Sequence, residues 1–457
     1  METESCQLRR SLKDEYNLLN QQFVLAKNSN FQRQYFGIYR YRLHTGRKLL
    51  ASEIQRKYGS DVKVKVLSDL VEFERCVIVG TVYKLQEMKP SVVKELRDEI
   101  KTKPQPMQPL PKYADSKDEI VLEDEELRVK LVGCIETREL CTGVVLAVYG
   151  VLTSAGTFDV LDVMFPIASP SSPLPVAQES DEPCYVLLIC GLRFDSKEGK
   201  NGEVQILRHH LLNWLLGNYG GREEQEKVAR IVRVIIAGNS IMAKKPGGRN
   251  CFSQVAKYLS RKMIHPSVEA ASSLDSFLKQ LANYVPVDLM PGETDPTNHL
   301  LPQQALHSCM FPEACRLPNF NRVTNPYCAS LCGITFLGTS GQTIDDLSKN
   351  SVTDDRISVM LNTLKWGHLC PTMPDTLGCY PYESDDPFII RQLPHVYFAA
   401  NQPAFSSSFC ALPGAAESNT HVRLLSLPSF CESGYAALVN LQNLAVEPII
   451  FKTSASI

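Results

Sequence analysis

The chain changes its hydrophobic period several times, and each change marks a new kind of element. Residues 31 to 58 (FQRQYFGIYRYRLHTGRKLLASEIQRKY) place apolar side chains at helical spacing with basic residues between them and stop at Gly59, which predicts one or two amphipathic helices ending at a glycine cap. From Val62 to Phe165 the period becomes two, with strands expected at Cys76 to Tyr83, Glu119 to Leu122, Arg128 to Ile135, Val144 to Val151 and Thr157 to Phe165. Residues 166 to 183 hold five prolines among serines and acids with no period at all. That stretch reads as an extended linker and a domain boundary. Beyond it, apolar strands (CYVLLIC, RIVRVIIAG, VPVDLM) alternate with helices around 203 to 216 and 267 to 283. Such alternation predicts a layered α/β domain whose functional loops follow the carboxyl ends of the strands.

Five short strands in about 100 residues, with glycines at 80, 133, 143, 150 and 156 where the chain must bend and a proline-bearing insertion at 102 to 118, suit an OB barrel. Other small barrels fit the pattern nearly as well. The expected organisation is a flexible segment over 1–30, a helical region over 31–60, the barrel over 61–165, the linker over 166–183 and the α/β domain over 184–457. Tyr83 and Tyr149 lie on barrel strands where a base could stack, although aromatics on strands are more often core. Arg33, Arg40, Arg42, Arg47 and Lys48 form a basic stripe, for which a solvated helix face is the plainer reading and phosphate contact the alternative.

Composition narrows the function. With 44% hydrophobic and 21% charged residues most of the chain is expected to fold. Forty-eight basic residues against 50 acidic ones leave a formal charge of -2, so no global field draws the chain to nucleic acid or an anionic membrane. The acidic run EIVLEDEEL at 119–127 further disfavours a barrel that grips single strands. No apolar stretch is long enough for a membrane span and the start lacks a secretory apolar run, so an intracellular, soluble protein is expected. Fifteen cysteines include no CxxC pair. Cys309 with Cys315, and Cys328 with Cys332, have the wrong spacing for a zinc knuckle. Residues 301–331 carry only three charged side chains and no clear period, so they are expected either to pack beneath their own domain or to offer apolar area to a partner.

The loops after the α/β strands resemble those of the calcineurin-like metallophosphoesterases, whose ligands sit in SDLH, GDxxD, GNHE, isolated His and GHxH loops. Here Gly191 and Arg193 stand after VLLI in place of Asp and His. Asn239 follows VIIA, with Met242 in place of the second Asp, and Glu293, Thr294 and Asp295 follow VPVDLM. Ser340 follows GITFL, and Asn401 and Pro403 replace both histidines after HVYFA. A two-metal site needs several carboxylates and imidazoles around cations about 4 Å apart. Glycine, arginine, methionine and proline supply none. The resemblance therefore implies an inactivated phosphoesterase-like sandwich with no catalytic residue, metal or cofactor. An OB domain joined to such a fold is similar to the B-subunits of eukaryotic replicative DNA polymerases. QYFGIYRYRL, VLEDEELRVKL, VPVDLMPGETDPTN, LPQQALHSCMFP, VTNPY, FLGTSGQ and HLCPTMPDTLGCYPY look like the delta branch. That resemblance implies a nuclear, non-catalytic scaffold in DNA replication and repair synthesis. Its partners would be the catalytic subunit's C-terminal metal-binding module and a third subunit carrying the sliding-clamp motif, with DNA reached indirectly and no membrane. The rival readings are a phosphodiesterase or nuclease with an altered site, and a single-strand DNA-binding OB protein.

Overall fold

The computed structural model describes residues 15–26, 32–59, 62–89, 110–115, 117–170, 182–195, 202–242, 268–412 and 420–453. The bulk of the expected linker, 171–181, and most of the insertion at 102–118 lie outside the described residues. The helical period near the start produces one helix, α1 (Phe36–Tyr58), closed by Gly59 at φ 78°, whose N–H donates to the carbonyl of Gln55. Glycine accepts this left-handed turn without a Cβ penalty, and Arg56 and Lys57 place positive charge on the last turn.

Strands β3 (Arg75–Leu85), β4 (Glu119–Glu123), β5 (Arg128–Gly133), β6 (Val145–Leu152) and β7 (Thr157–Met164) lie where the period of two places them. A two-residue strand, β2 (Val64–Lys65), runs parallel beside β3. The order of the five is β3-β4-β5-β7-β6, and β6 pairs back onto β3, so the sheet closes. Closure leaves these strands no free edge. Alternation then sorts the side chains: Ile78, Leu122, Val148 and Phe158 fill the interior, while Val77, Val79, Val145 and Ala147 face outward under Leu43, Leu50 and Ile54 of α1. The helix comes so close that a Cβ on Gly46 would sit 2.5 Å from Cγ1 of Val145.

The second half is a four-layer α/β/β/α sandwich. One sheet runs β11-β10-β9-β8-β17-β18, with β8 (Tyr185–Ile189), β9 (Ile231–Ala237) and β10 (Val287–Met290) parallel, β11 (Phe320–Arg322) outermost on one side, and β17 (Tyr435–Asn440) and β18 (Val446–Ile450) on the other. The other sheet runs β1-β12-β13-β14-β16-β15, comprising β1 (Tyr16–Leu18), β12 (Tyr327–Leu331), β13 (Ile334–Thr339), β14 (Val396–Gln402), β15 (Ser406–Leu412) and β16 (Thr420–Pro428). Val186, Leu188, Tyr327, Phe336, Phe398 and Leu427 pack between the sheets. Helices α2 (Gly202–Leu215) and α4 (Val268–Ala282) cover the first sheet, with α3 (Arg222–Ala229) between them in sequence. Helices α5 (Gln342–Asn350) and α6 (Arg356–Lys365) cover the second, and their apolar cluster runs on without a break into the barrel interior.

Two expectations need correction, and one left open is resolved. Residues 15–26, expected to be flexible, form β1 and a 3-10 turn: Phe23 is fully buried, and the Cys328 N–H donates to Asn20 Oδ1. Of the two readings of the irregular stretch 301–331, packing beneath its own domain holds for the large side chains, because Leu306, Phe311, Phe320, Tyr327 and Leu331 are all buried, while Cys309, Pro312, Cys315 and Pro318 stay exposed. Its lack of period reflects two 3-10 turns and two short strands. Arg42 belongs to neither a solvated stripe nor a phosphate site, being only 3% exposed.

Arg42 instead joins the barrel to the sandwich. Its Nε donates to Asp386 Oδ2 at 2.8 Å, Nη1 to the Pro371 carbonyl at 2.8 Å and more distantly to that of Gly143 at 3.5 Å, and Nη2 to that of Met373 at 3.1 Å. His368 Nε2 lies 2.9 Å from the same carboxylate oxygen, and His368 Nδ1 accepts from the Cys370 N–H. That pairing is the neutral tautomer with the proton on Nε2. Burial opposes ionisation of Asp386, but Arg42 and His368 overcome it and hold the carboxyl well below the usual range; burial and then Arg42 push His368 down. Among the described residues no helix is long and apolar enough to cross a membrane.

Arg42→Ala leaves Asp386 buried without its guanidinium, so urea unfolding is expected to show a loss of about 3–5 kcal/mol. Arg47→Ala, which breaks an exposed pair with Glu125, is expected to cost under about 1 kcal/mol. Because the carboxyl of Asp386 is depressed in the fold, its contribution is present above the normal aspartate range and fades as pH falls below about 4.

Candidate functional site

Strands β8, β9, β10, β13 and β14 deliver their carboxyl-end loops to one place, the usual location of a site in such a fold. The Gly191 N–H donates to the Gly238 carbonyl at 2.9 Å and the Arg193 N–H to that of Asn239 at 3.1 Å. Asn401 Nδ2 donates to the carbonyls of Ala237 at 3.2 Å and Ser340 at 2.9 Å. A Cβ on Gly292 would lie 2.4 Å from the Asn239 nitrogen. The structure thus brings together Gly191, Arg193, Asn239, Thr294, Asp295, Ser340 and Asn401. Glu293, Met242 and Pro403 lie on the exposed rim. Arg193, Asn239 and Asn401 have φ of 47°, 54° and 55°, half of the six non-glycine residues with positive φ among those described. Strained backbone concentrated at strand ends points to a former or present functional centre.

Inside this knot the polar groups serve one another. Asp295 is fully buried, its Oδ1 accepting from the Ile241 N–H at 2.7 Å and its Oδ2 from the Gly292 N–H at 2.8 Å. Burial raises its pKa to about 6 although these main-chain donors oppose the shift. Asn239 Oδ1 accepts from the N–H and the hydroxyl of Thr294, and that hydroxyl also donates to the Ile241 carbonyl at 2.7 Å. Arg193 pairs with Glu432. Sequence reading missed the amide cluster beneath Ser340: Asn325 Nδ2 donates to Ser340 Oγ at 2.7 Å and Gln303 Oε1 at 2.8 Å, Gln342 Nε2 donates to Gln303 Oε1 at 3.0 Å, and Gln303 Nε2 to the Gly292 carbonyl at 3.1 Å. The signal lay in LPQQAL, VTNPY and FLGTSGQ, which carry these four side chains.

The two cations of a working phosphoesterase do not fit this donor set. The one carboxylate at the centre, Asp295, has both oxygens turned to backbone N–H groups. Asn239 and Asn401 tie loops, and Arg193 adds positive charge. The buried atoms left without a partner here, Arg193 Nε, Ser240 Oγ, Asn401 Oδ1 and Gln402 Oε1, carry no anionic charge. Among the described residues no group of three or more His, Cys, Asp or Glu is placed to hold a metal. On the barrel, Tyr149 is covered by Tyr58 of α1, with ring centroids 4.8 Å apart, and Tyr83 is 37% exposed. Of the basic stripe, Arg33 pairs with Glu383 and Arg47 with Glu125.

The raised carboxyl of Asp295 sets a pH test. Its contribution to stability is complete below the unfolded value of 3.8 and is lost as pH rises through about 6. Between those two pH values the stability of the native chain relative to Asp295→Asn, measured by urea unfolding, is expected to fall by about 2 kcal/mol.

The B-subunit family of DNA polymerases alpha and epsilon matches residues 186–407, and the DNA polymerase delta subunit OB-fold domain matches residues 34–163. The closed barrel, expected as an OB fold from its strand pattern, lies within the second match. A DNA polymerase delta subunit 2 of Drosophila melanogaster is 37% identical over 97% of this chain and 99% of its own. A DNA polymerase delta small subunit of Arabidopsis thaliana is 38% identical over 99% of both. A DNA polymerase II small subunit of Archaeoglobus fulgidus is 24% identical over 60% of this chain and 52% of its own. With more than a third of its residues shared along nearly the whole length of both eukaryotic relatives, the chain belongs to the DNA polymerase delta small-subunit family.

Proposed function

We propose that the chain is a non-catalytic scaffold subunit of a nuclear DNA polymerase delta complex, active in DNA replication and repair synthesis. It comprises an OB domain over 61–165 and an inactivated calcineurin-like phosphoesterase domain over 184–457. The observation that carries this reading is the state of Asp295. A carboxylate that accepts main-chain N–H bonds on both oxygens is a structural anchor, and a two-metal hydrolase needs such groups free for its cations. Every position where the resemblance implies a ligand now holds a loop tie, a cation or an exposed side chain.

The composite of barrel and sandwich suits a hub. The Arg42 junction and the shared apolar cluster fix the two parts in one orientation, which lowers the ordering cost of docking two partners at once. Those partners are the catalytic subunit's C-terminal metal-binding module and a third subunit carrying the sliding-clamp motif. DNA is reached through the complex, since a formal charge of -2 gives no broad electrostatic footprint.

Incubated with manganese and a labelled single strand, the pure chain is expected to show no turnover above background. Turnover that disappears in an Asp295→Ala, Glu293→Ala double variant would overturn the scaffold reading. In fluorescence anisotropy at physiological salt, an oligonucleotide is expected to bind the isolated chain no more tightly than about 10⁻⁶ M, the upper end of non-specific affinity.

A further inference from the structure

A sheet edge exposes unpaired N–H and C=O groups, and proteins usually blunt it with short strands, charge or proline. Three of the four outer strands of the sandwich follow that rule. β1 and β11 are three residues each, and β18 carries Glu447 and Pro448. β15 does not. It is seven residues long, reads SSSFCAL, and has neither charge nor proline.

The direction of its free groups follows from its neighbour. The Arg423 N–H donates to the His395 carbonyl, so Arg423 turns its backbone toward the β14 side of β16. By alternation Val422 and Leu424 turn theirs toward β15, where they face Cys410 and Ser408. The N–H and C=O groups of Ser407, Phe409 and Ala411 therefore point outward, and among the described residues no strand pairs with them. Phe409 is 45% exposed and stacks on His421 at 5.1 Å. The Arg423 guanidinium lies 4.8 Å from the Phe409 ring centroid, and its Nε donates to the Leu444 carbonyl. No carboxylate among the described residues pairs with it. An open ladder beside an uncompensated cation and a half-exposed ring has the features of a strand-addition site: main-chain bonds for affinity, alternate side chains for selectivity.

We infer that β15 takes an extended segment of another subunit of the same polymerase, pairing with Ser407, Phe409 and Ala411 and bringing an acidic side chain to Arg423. This rests on the scaffold reading. A partner strand uses the outward Ala411 N–H, whereas the chain's own ladder uses the inward groups of Ser408 and Cys410. Proline at 411 thus removes the partner's bond while sparing the fold.

The test co-expresses the full chain with each remaining subunit of the polymerase and follows amide hydrogen exchange alone and in the assembled complex. At least tenfold slower exchange at Ser407, Phe409 and Ala411 is expected in the complex. Ala411→Pro and Arg423→Glu are each expected to weaken that association at least tenfold, with Ala411→Pro keeping the melting temperature of the native chain. Unchanged exchange at these amides in a fully assembled complex would overturn the inference and leave the scaffold reading standing. Failure of every subunit to associate would remove both. Protection that grows with concentration of the chain alone would identify a second copy as the occupant and overturn the inference.

Discussion

A guanidinium removed from water must recover its hydration from fixed acceptors, and Arg42, carried on the helix that covers the barrel, recovers it chiefly from the sandwich. Its closest bonds go to Asp386 and to the carbonyls of Pro371 and Met373 in the sandwich, while its own helix lies across the barrel. The barrel alone leaves the charge unsatisfied, its one acceptor being the distant Gly143 carbonyl. The orientation of barrel to sandwich is therefore set by hydrogen-bond geometry, which is directional, on top of apolar contact, which is not. The neutral His368 below it lets one carboxylate serve two donors without adding a second buried positive charge.

Much of the architecture was legible because period and burial coincide. The barrel strands alternate, since one face meets the interior and the other meets α1 or solvent. The strands of the α/β half read as continuous apolar runs because both faces are covered, as in IVRVIIA of β9. Legibility failed where partners lie far apart in sequence. Tyr16, Asn17 and Leu18 pair with β12, and nothing local in YNL announces a strand. Residues 301–331 lack a period because their backbone bonds go to turns and distant loops, as when Gln303 and Asn325 exchange main-chain bonds. Arg42 looked like its basic neighbours, because one-dimensional spacing does not reveal that Asp386 waits opposite.

The site divides in the same way. Its location, at the carboxyl ends of the strands, followed from the strand pattern. How the residues there bond to one another was not visible. In the sequence Asp295 is only one of three polar residues after VPVDLM, and its role as an anchor depends on N–H groups of Ile241 and Gly292 that only the folded backbone aims at it. The glutamine and asparagine cluster under Ser340 likewise depends on three loops meeting. Positive φ at Arg193, Asn239 and Asn401 persists although the chemistry that such strain commonly serves has no ligands here.

The strand at Tyr16–Leu18 also bears on how the chain is made. Asn20 meets Cys328 across 308 positions, and Arg233 packs under the Tyr16 ring at 3.5 Å. During synthesis from the amino end, this segment has no template until β12 leaves the ribosome, so its sheet is completed late although the segment precedes the barrel in the chain. The barrel, whose strands are contiguous, closes well before that. The nascent chain accordingly passes through a stage in which Phe23 has no pocket, and the burden of keeping it in solution falls on the polar residues around it.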